Sequence, residues 1–364
     1  MLRIAMEASA LLPPRTGVAR YVALLARQFA RDESVTLDLL INAWRPKHRS
    51  AAAALRREFS GPRTRLHLRR LPGRFTRPLD KRRGGWALTP PPAVVHGPNF
   101  LLPALAGAPP GVITIHDLYF LENMESAVTH NYRSELPDSV ARARAIVVIS
   151  EVTASVFRRF FPGSADKLVI IPVGVADSFR QPPPDDTRLP ALPAKFYLSV
   201  GATGARKNLP WLAPILAASP EPIPWVIAGP PDEDEIPLRA ACAAHGVALI
   251  RLPAVDDAQL NALYRRALAL LAPSHQEGYF FPAYEASVCG LPVVANDLEL
   301  FREPARRHGW TLATDAERWR LALAVPESLP RPAADGIATE SGVAETHLAL
   351  YRRLAASATA KIPR

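Results

Sequence analysis

The 364-residue sequence is poor in cysteine, with only Cys242 and Cys289. That count excludes a framework of several disulfides and a cysteine-rich metal site, and it reads as a reduced, cytoplasmic setting. Long apolar runs are also lacking. No stretch approaches the roughly 18 residues that a membrane-spanning helix needs. The opening "MLRIAMEASALLPP" has too short an apolar core for a secretory signal and suits a first strand. The dinucleotide fingerprint G-x-G-x-x-G is missing after that strand, which weighs against a nicotinamide enzyme. There is no internal repeat of short period and no known nucleic-acid-binding module, so no nucleic-acid partner is expected.

Apolar patterning is present in quantity. Hydrophobic residues make up 48% of the chain, and that periodicity survives the 38 prolines, so the composition supports two ordinary domains with full cores. Short runs apolar on both faces, as buried parallel strands are, predict strands at Arg3–Glu7, Thr36–Ile41, Val94–His96, Val112–His116, Ala145–Ile149 and Leu168–Val173. A helix is expected over about Val18–Arg31 and another over Glu151–Phe161, capped by Ser150. The proline-rich stretch Gln181–Pro193 reads as a linker. A second alternation then predicts strands at Phe196–Val200, Trp225–Ala228, Ala248–Arg251, Ala269–Ala272 and Pro292–Ala295, with Asp256 opening a helix. The division expected is 1–180, 194–338 and an amphipathic helix within 339–364. Two successive doubly wound units place ligands outside the carboxyl ends of their strands.

Charge is unevenly spread. Between Arg45 and Arg83, fourteen Lys/Arg stand against Glu58 and Asp80, a net of +12, whereas the whole chain carries +10. The arginines are interleaved with leucines and aromatics. An anionic membrane surface, where each nearby basic residue contributes about 1 kcal/mol, fits this segment better than nucleic acid does. A peripheral position on the inner face of the cytoplasmic membrane is therefore expected.

The chemistry concentrates in Ser274–Asn296, where Glu277 and Glu285 flank "GYFFPAY". Pro282 suits a first helical turn and Gly290 a helix end. Carboxylates beside the free amides of a helix mouth can hold a ligand carrying both phosphate and hydroxyls, as a sugar nucleotide does. Earlier, "GATGARKNL" places Arg206 and Lys207 at a helix start where an anion is already favoured.

The Glu277–Glu285 segment resembles the E-x7-E signature of retaining GT-B glycosyltransferases, in particular the family-four (group 1) type that includes bacterial mannosyltransferases. "GATGARKN" is similar to that family's diphosphate-holding motif. "TGVARY" resembles its first loop, with Thr16, Gly17, Arg20 and Tyr21 matching, and "HDL" at His116–Asp117 occurs where its donor-sugar pocket lies. The resemblance implies an α/β GT-B fold of two Rossmann-like domains facing a cleft, with the terminal helix crossing back to the first. It implies His116 and Glu277 in the catalytic pocket, and a donor held by Gly17, Arg206, Lys207, Tyr279, Phe280, Phe281 and Glu285. Thr16, Arg20 and Asp117 are acceptor-side candidates. No cofactor or metal is expected, because no D-x-D stands where a metal-dependent transferase would need one and the basic pair can neutralise the diphosphate. The implied reaction moves a hexose, mannose from GDP-mannose foremost, onto a surface-glycan or lipid-linked acceptor. A sugar-nucleotide epimerase of similar fold and a non-catalytic basic scaffold are the alternatives. Phe280 departs from the family's glycine and puts the donor sugar in question.

Overall fold

The computed structural model describes residues 1–13, 17–45, 48–59, 61–70, 85–122, 127–219, 221–231 and 235–359. The chain divides into two compact units, one of Met1–Gly174 with Glu340–Arg364 and the other of Val175–Thr339.

The first unit is built on seven parallel strands: β1 (Leu2–Glu7), β2 (Val35–Asn42), β3 (Thr64–Arg69), β4 (Val94–Gly97), β5 (Gly111–Ile115), β6 (Ala145–Val148) and β7 (Leu168–Ile170). Their order is β3-β2-β1-β4-β5-β6-β7, so the topology reverses between β1 and β4. The central strands are buried on both faces, which is why they read as unbroken apolar runs. The helix Gly17–Arg31 buries Tyr21, Val22, Leu24, Leu25 and Phe29 on one side. Ser150 caps the helix Glu151–Phe160 by accepting from the Thr153 amide at 3.1 Å.

β3 is an edge strand that apolar periodicity did not mark. Its sequence "TRLHLR" is largely basic and half-buried, and polar partners hold it in place of a core face. Asp38, wholly buried in β2, accepts from Arg3 at 2.6 Å and pairs with His67 of β3 at 2.7 Å. Arg69 stands 4.0 Å above the Trp86 ring. Residues 71–84, the rest of the strongly basic segment, and Thr16 lie outside the described residues.

The last helix, Glu340–Thr359, belongs to the first unit and packs on the helix Gly17–Arg31 and on β4. A buried polar chain lies in this packing. Tyr351 Oη meets His96 Nδ1 at 2.7 Å, and His96 Nε2 meets Thr114 Oγ1 at 2.9 Å. Thr114 Oγ1 meets Tyr21 Oη at 3.1 Å, Tyr21 Oη meets His347 Nε2 at 2.9 Å, and His347 Nδ1 meets the Val343 carbonyl at 2.8 Å. Polar groups buried this deeply are tolerated because each one has a partner.

The second unit carries β8 (Tyr197–Val200), β9 (Trp225–Ala228), β10 (Leu249–Leu252), β11 (Leu270–Ala272), β12 (Val293–Asn296) and β13 (Thr311–Ala313) in the parallel order β10-β9-β8-β11-β12-β13. β13 is an edge strand of sequence Thr-Leu-Ala, only partly buried, with no apolar run to mark it. Asp256 opens the helix Asp257–Arg266 with a full capping box to Gln259. Part of the stretch read as a linker is hydrogen-bonded within this unit: Asn261 donates to the Ser178 and Gln181 carbonyls, and Gln259 to that of Arg188. Among the described residues no helix is long and apolar enough to cross a membrane.

The buried histidines make the first unit acid-sensitive. Burial drives His116 and His347 from 6.5 down to about 4, so the unfolded chain takes up protons first. Stability is complete above about pH 6.5 and falls as pH drops toward 4, by about 3 kcal/mol for each histidine. Urea unfolding followed between pH 7 and 4 should show that loss, and His347→Gln should remove part of the pH dependence.

Candidate active site

In the second unit the motif residues converge at the carboxyl ends of β8 and β11, the point where strand order reverses and where ligands bind in open parallel sheets. Glycine makes the floor of this place. Gly201 ends β8 with φ +118° and Gly229 ends β9 with φ +142°, and a Cβ on Gly229 would come within 2.5 Å of the Gly201 carbonyl oxygen. The two loops thus touch backbone to backbone, an approach that a side chain at Gly229 would forbid. A small pocket opens above them, lined by Gly201, Ala202, Lys207, Ser274 and Phe280 among others.

Glu277 is the centre of the charged groups. It is 4% exposed. Lys207 Nζ donates to its Oε1 at 2.6 Å and Arg206 Nη1 to its Oε2 at 2.6 Å. Ser274 Oγ donates to Oε1 at 2.7 Å. Burial pushes the Glu277 carboxyl up, but Lys207, Arg206 and these hydrogen bonds together outweigh it and hold the group below its ordinary 4.5. Arg206 also donates to the Gln276 carbonyl at 3.1 Å, and the His275 amide donates to the Arg206 carbonyl at 2.8 Å. The loop carrying Glu277 and the turn Ala205–Lys207 are therefore bound together by backbone as well as by charge. From the other side, Asn296 at the end of β12 donates to the Pro273 and Ser274 carbonyls at 2.7 and 3.1 Å and accepts from Trp319 Nε1 at 2.8 Å.

Phe280 takes the place where the resembled pattern has glycine, and its backbone keeps the glycine-like shape, with φ +65°. The left-handed region costs a non-glycine residue about 1–2 kcal/mol. Burying a phenylalanine side chain is worth about 1.5–3 kcal/mol, enough to offset that cost. The ring lies 4.4 Å from Lys207 Nζ and 5.9 Å from the Phe301 ring. It covers the buried cation and narrows the pocket. Tyr279 stacks on Tyr284 with centroids 4.4 Å apart. Phe281 and Pro282 begin the helix Phe281–Val288, and Gly290 follows its end at φ +77°.

Glu285, on that helix, is 1% exposed and accepts from Tyr264 Oη at 2.8 Å. It belongs to the same unit as the Glu277 cluster. Sequence reasoning missed Ser274, Asn296, Gly229 and Tyr264. Of these, only Ser274 and Asn296 gave any signal, as polar residues bounding the motif.

The remaining sequence-predicted residues lie in the first unit. His116 ends β5, is 6% exposed, and its Nε2 donates to the Pro98 carbonyl at 2.8 Å. Its Nδ1 is then the ring's acceptor, with no protein partner among the described residues. Tyr21 and Phe100 set their rings edge-on against it at 5.0 and 5.8 Å. Asp117 follows directly on it. Gly17 begins the helix that also carries Arg20. Among the described residues, no group of three His, Cys, Asp or Glu is placed to hold a metal ion.

Two family profiles cover the chain in series. Glycosyltransferase Family 4 matches residues 15–179, and Glycosyl transferases group 1 matches residues 188–318. O-antigen chain mannosyltransferase B of Escherichia coli is 27% identical over 284 residues, 73% of each chain. Sucrose-phosphate synthase of Thermosynechococcus elongatus shares the fold at a TM-score of 0.67 and 16% identity, covering 98% of this chain and 100% of that one. HepE of Anabaena, solved with UDP and glucose, does so at a TM-score of 0.62 and 14% identity over 99% and 100%. At such identities these structures bear on fold alone. The fold and its motif cluster define a glycosyltransferase of the GT-B class. The chain belongs to the family-four, group 1 glycosyltransferases, and the mannosyltransferase named above lies among its relatives.

The buried pair yields a direct test. Glu277→Gln leaves Lys207 without a counter-charge, and breaking a buried pair from one side costs about 3–5 kcal/mol. Because the folded value of Glu277 lies below 4.5, its contribution is complete above about pH 4.5 and is lost as pH falls through that folded value. Urea unfolding should show the full gap between wild type and variant at pH 7 and a narrower one below pH 4.

Proposed function

We propose that the protein is a retaining glycosyltransferase that moves a hexose, mannose from GDP-mannose foremost, to a bacterial surface glycan or lipid-linked acceptor. One observation carries the reading: two cations and a buried carboxylate meet at a glycine-floored pocket. A sugar nucleotide brings a diphosphate to such a place, and that group gains charge as the glycosidic bond breaks. Half of the Arg206 side chain is exposed, and its guanidinium offers five donors, so it can turn to the diphosphate while Glu277 keeps Lys207 charged and in position. Preorganised cations of this kind are the principal source of stabilisation for a departing phosphate, which supports catalysis with no metal cofactor. Glu277 and the amides after it hold the sugar, Glu285 accepts from the ribose, and the Nδ1 of His116 accepts from a sugar hydroxyl. No side chain is assigned as a nucleophile. Retention then follows from front-face attack, with the leaving phosphate taking the acceptor's proton.

Mannose is favoured because the relative covering 73% of the chain is an O-antigen mannosyltransferase. A structure with UDP and glucose among the fold neighbours keeps uridine in the comparison. Thermal shift with GDP, UDP and dTDP should single out one base, since a tight ligand raises apparent stability. Calorimetry with that nucleotide should show Glu285→Ala losing about 1.5–3 kcal/mol of binding; wild-type affinity would remove Glu285 from the ribose. Arg206→Ala should lower turnover about 10²-fold, the scale for one lost transition-state donor, with little change in melting temperature because the side chain is half exposed. Unchanged turnover would place the diphosphate elsewhere.

A lipid-linked acceptor brings the protein to an anionic leaflet. The exposed Arg56, Arg57, Arg65 and Arg70 of the described basic segment support this. Co-sedimentation with vesicles should require anionic lipid and weaken between 0.1 and 1 M salt, as the Debye length shrinks from about 10 to about 3 Å. Equal recovery with neutral vesicles would exclude it.

A further inference from the structure

The polar chain at the last helix has one proton order. A carbonyl only accepts, so Val343 O fixes the His347 proton on Nδ1. The ring is buried and neutral, with its value held at about 4, so its Nε2 accepts from Tyr21 Oη. Tyr21 then accepts from Thr114 Oγ1, and Thr114 accepts from His96 Nε2. His96 Nδ1 is left to accept from Tyr351 Oη. Each hydroxyl donates once and accepts at most once, and no member can reverse unless its neighbours do.

Two members of this chain lead to His116. Thr114 and His116 are two apart around the end of β5, so their side chains leave on the same face. The Tyr21 ring packs on His116 at 5.0 Å, with planes 84° apart. Among the described residues the His116 ring makes one hydrogen bond, Nε2 to Pro98 O. The angle at which its Nδ1 is offered is therefore set by that bond together with the Phe100 and Tyr21 rings, of which Tyr21 is the closer, and the Tyr21 hydroxyl is tethered to the last helix.

We propose that His347 and Tyr351, 231 and 235 residues beyond His116 in the sequence, are positioning residues for the transfer reaction. They act through Tyr21 and Thr114 and hold His116 in the orientation that receives the sugar. This rests on the reading of His116 as a sugar-pocket residue. It gives the terminal helix a role in turnover in addition to its role in packing. A neutral, fully paired chain is suited to this task, because a strict donor order fixes ring rotation as well as ring position.

The test uses the full chain. Ring-nitrogen spectra of histidine-labelled protein at pH 7 should show His347 protonated on Nδ1, and His96 and His116 on Nε2. Tyr351→Phe keeps the ring but cuts the chain, and it should move the His116 nitrogens even though the Tyr351 hydroxyl reaches that ring only by way of His96, Thr114 and Tyr21. Release of nucleoside diphosphate from GDP-mannose and UDP-glucose, assayed well below the melting temperature, should fall at least tenfold in kcat for His347→Leu, with KM for the donor unchanged. His347→Gln, whose amide oxygen can accept from Tyr21, should stay within about threefold of wild type. Unmoved His116 nitrogens in Tyr351→Phe, the opposite tautomers, or equal kcat losses in the leucine and glutamine variants would overturn the proposal. His116→Ala separates the two readings. Wild-type turnover in that variant would remove His116 from the sugar pocket, and the positioning role with it. A large loss there, beside a fully active His347→Leu, would overturn the positioning role alone.

Discussion

A carboxylate 4% exposed, within 2.6 Å of both a lysine and an arginine, is the constraint that organises the second unit. A buried charge is costly unless it is paired and hydrogen-bonded. Glu277 meets that requirement by drawing the turn Ala205–Lys207 and the loop after β11 to one point. Asn296 then fixes the loop's carbonyls from the opposite side, and Trp319 fixes Asn296. The positive-φ backbone at Phe280 is sustained by the same arrangement, because its ring covers the lysine that Glu277 holds.

The two units bury polarity in different ways. The second concentrates formal charge, which suits a site that must balance an anionic leaving group. The first has a buried ion pair, Arg3 with Asp38 near the sheet edge, and under its last helix it links neutral groups donor to acceptor, with His96, His116 and His347 all driven below the ordinary histidine value by burial. Charge gives strength that depends on pH at the acid end of the carboxylate range. A neutral chain gives orientation, and it fails at a higher pH, where histidines take up protons.

Much of the architecture was legible in the sequence, because buried parallel strands are apolar on both faces. Eleven strands were expected, and each appears within a few residues of its place. β3 and β13 were not, one being basic and held by Asp38 and the other, Thr-Leu-Ala, half-buried with no apolar run to mark it. The carboxylates and the basic pair of the site were legible as local motifs. Their meeting was not, since 70 residues separate Lys207 from Glu277 and no local pattern encodes that contact. The sequence suggested roles for Glu277, Arg206 and Lys207 one by one, and what it could not show is that the fold joins all three by hydrogen bonds. The Tyr21–His347 contact spans 326 residues, beyond the reach of any periodicity.

The polar chain at the last helix also bears on synthesis. The first unit contains Glu340–Arg364, so a ribosome must complete the whole second unit before the first can close its core. Until then Tyr21 lacks His347 and His96 lacks Tyr351, and the faces of the helix Gly17–Arg31 and of β4 that the last helix covers stay open. Long-range contacts of this kind slow folding and leave apolar surface unprotected in the meantime. The second unit is one continuous stretch, Val175–Thr339, and needs no later segment to complete its sheet. The unit translated later is thus free to close earlier, and holding chaperones would have most to protect in the amino-terminal sheet.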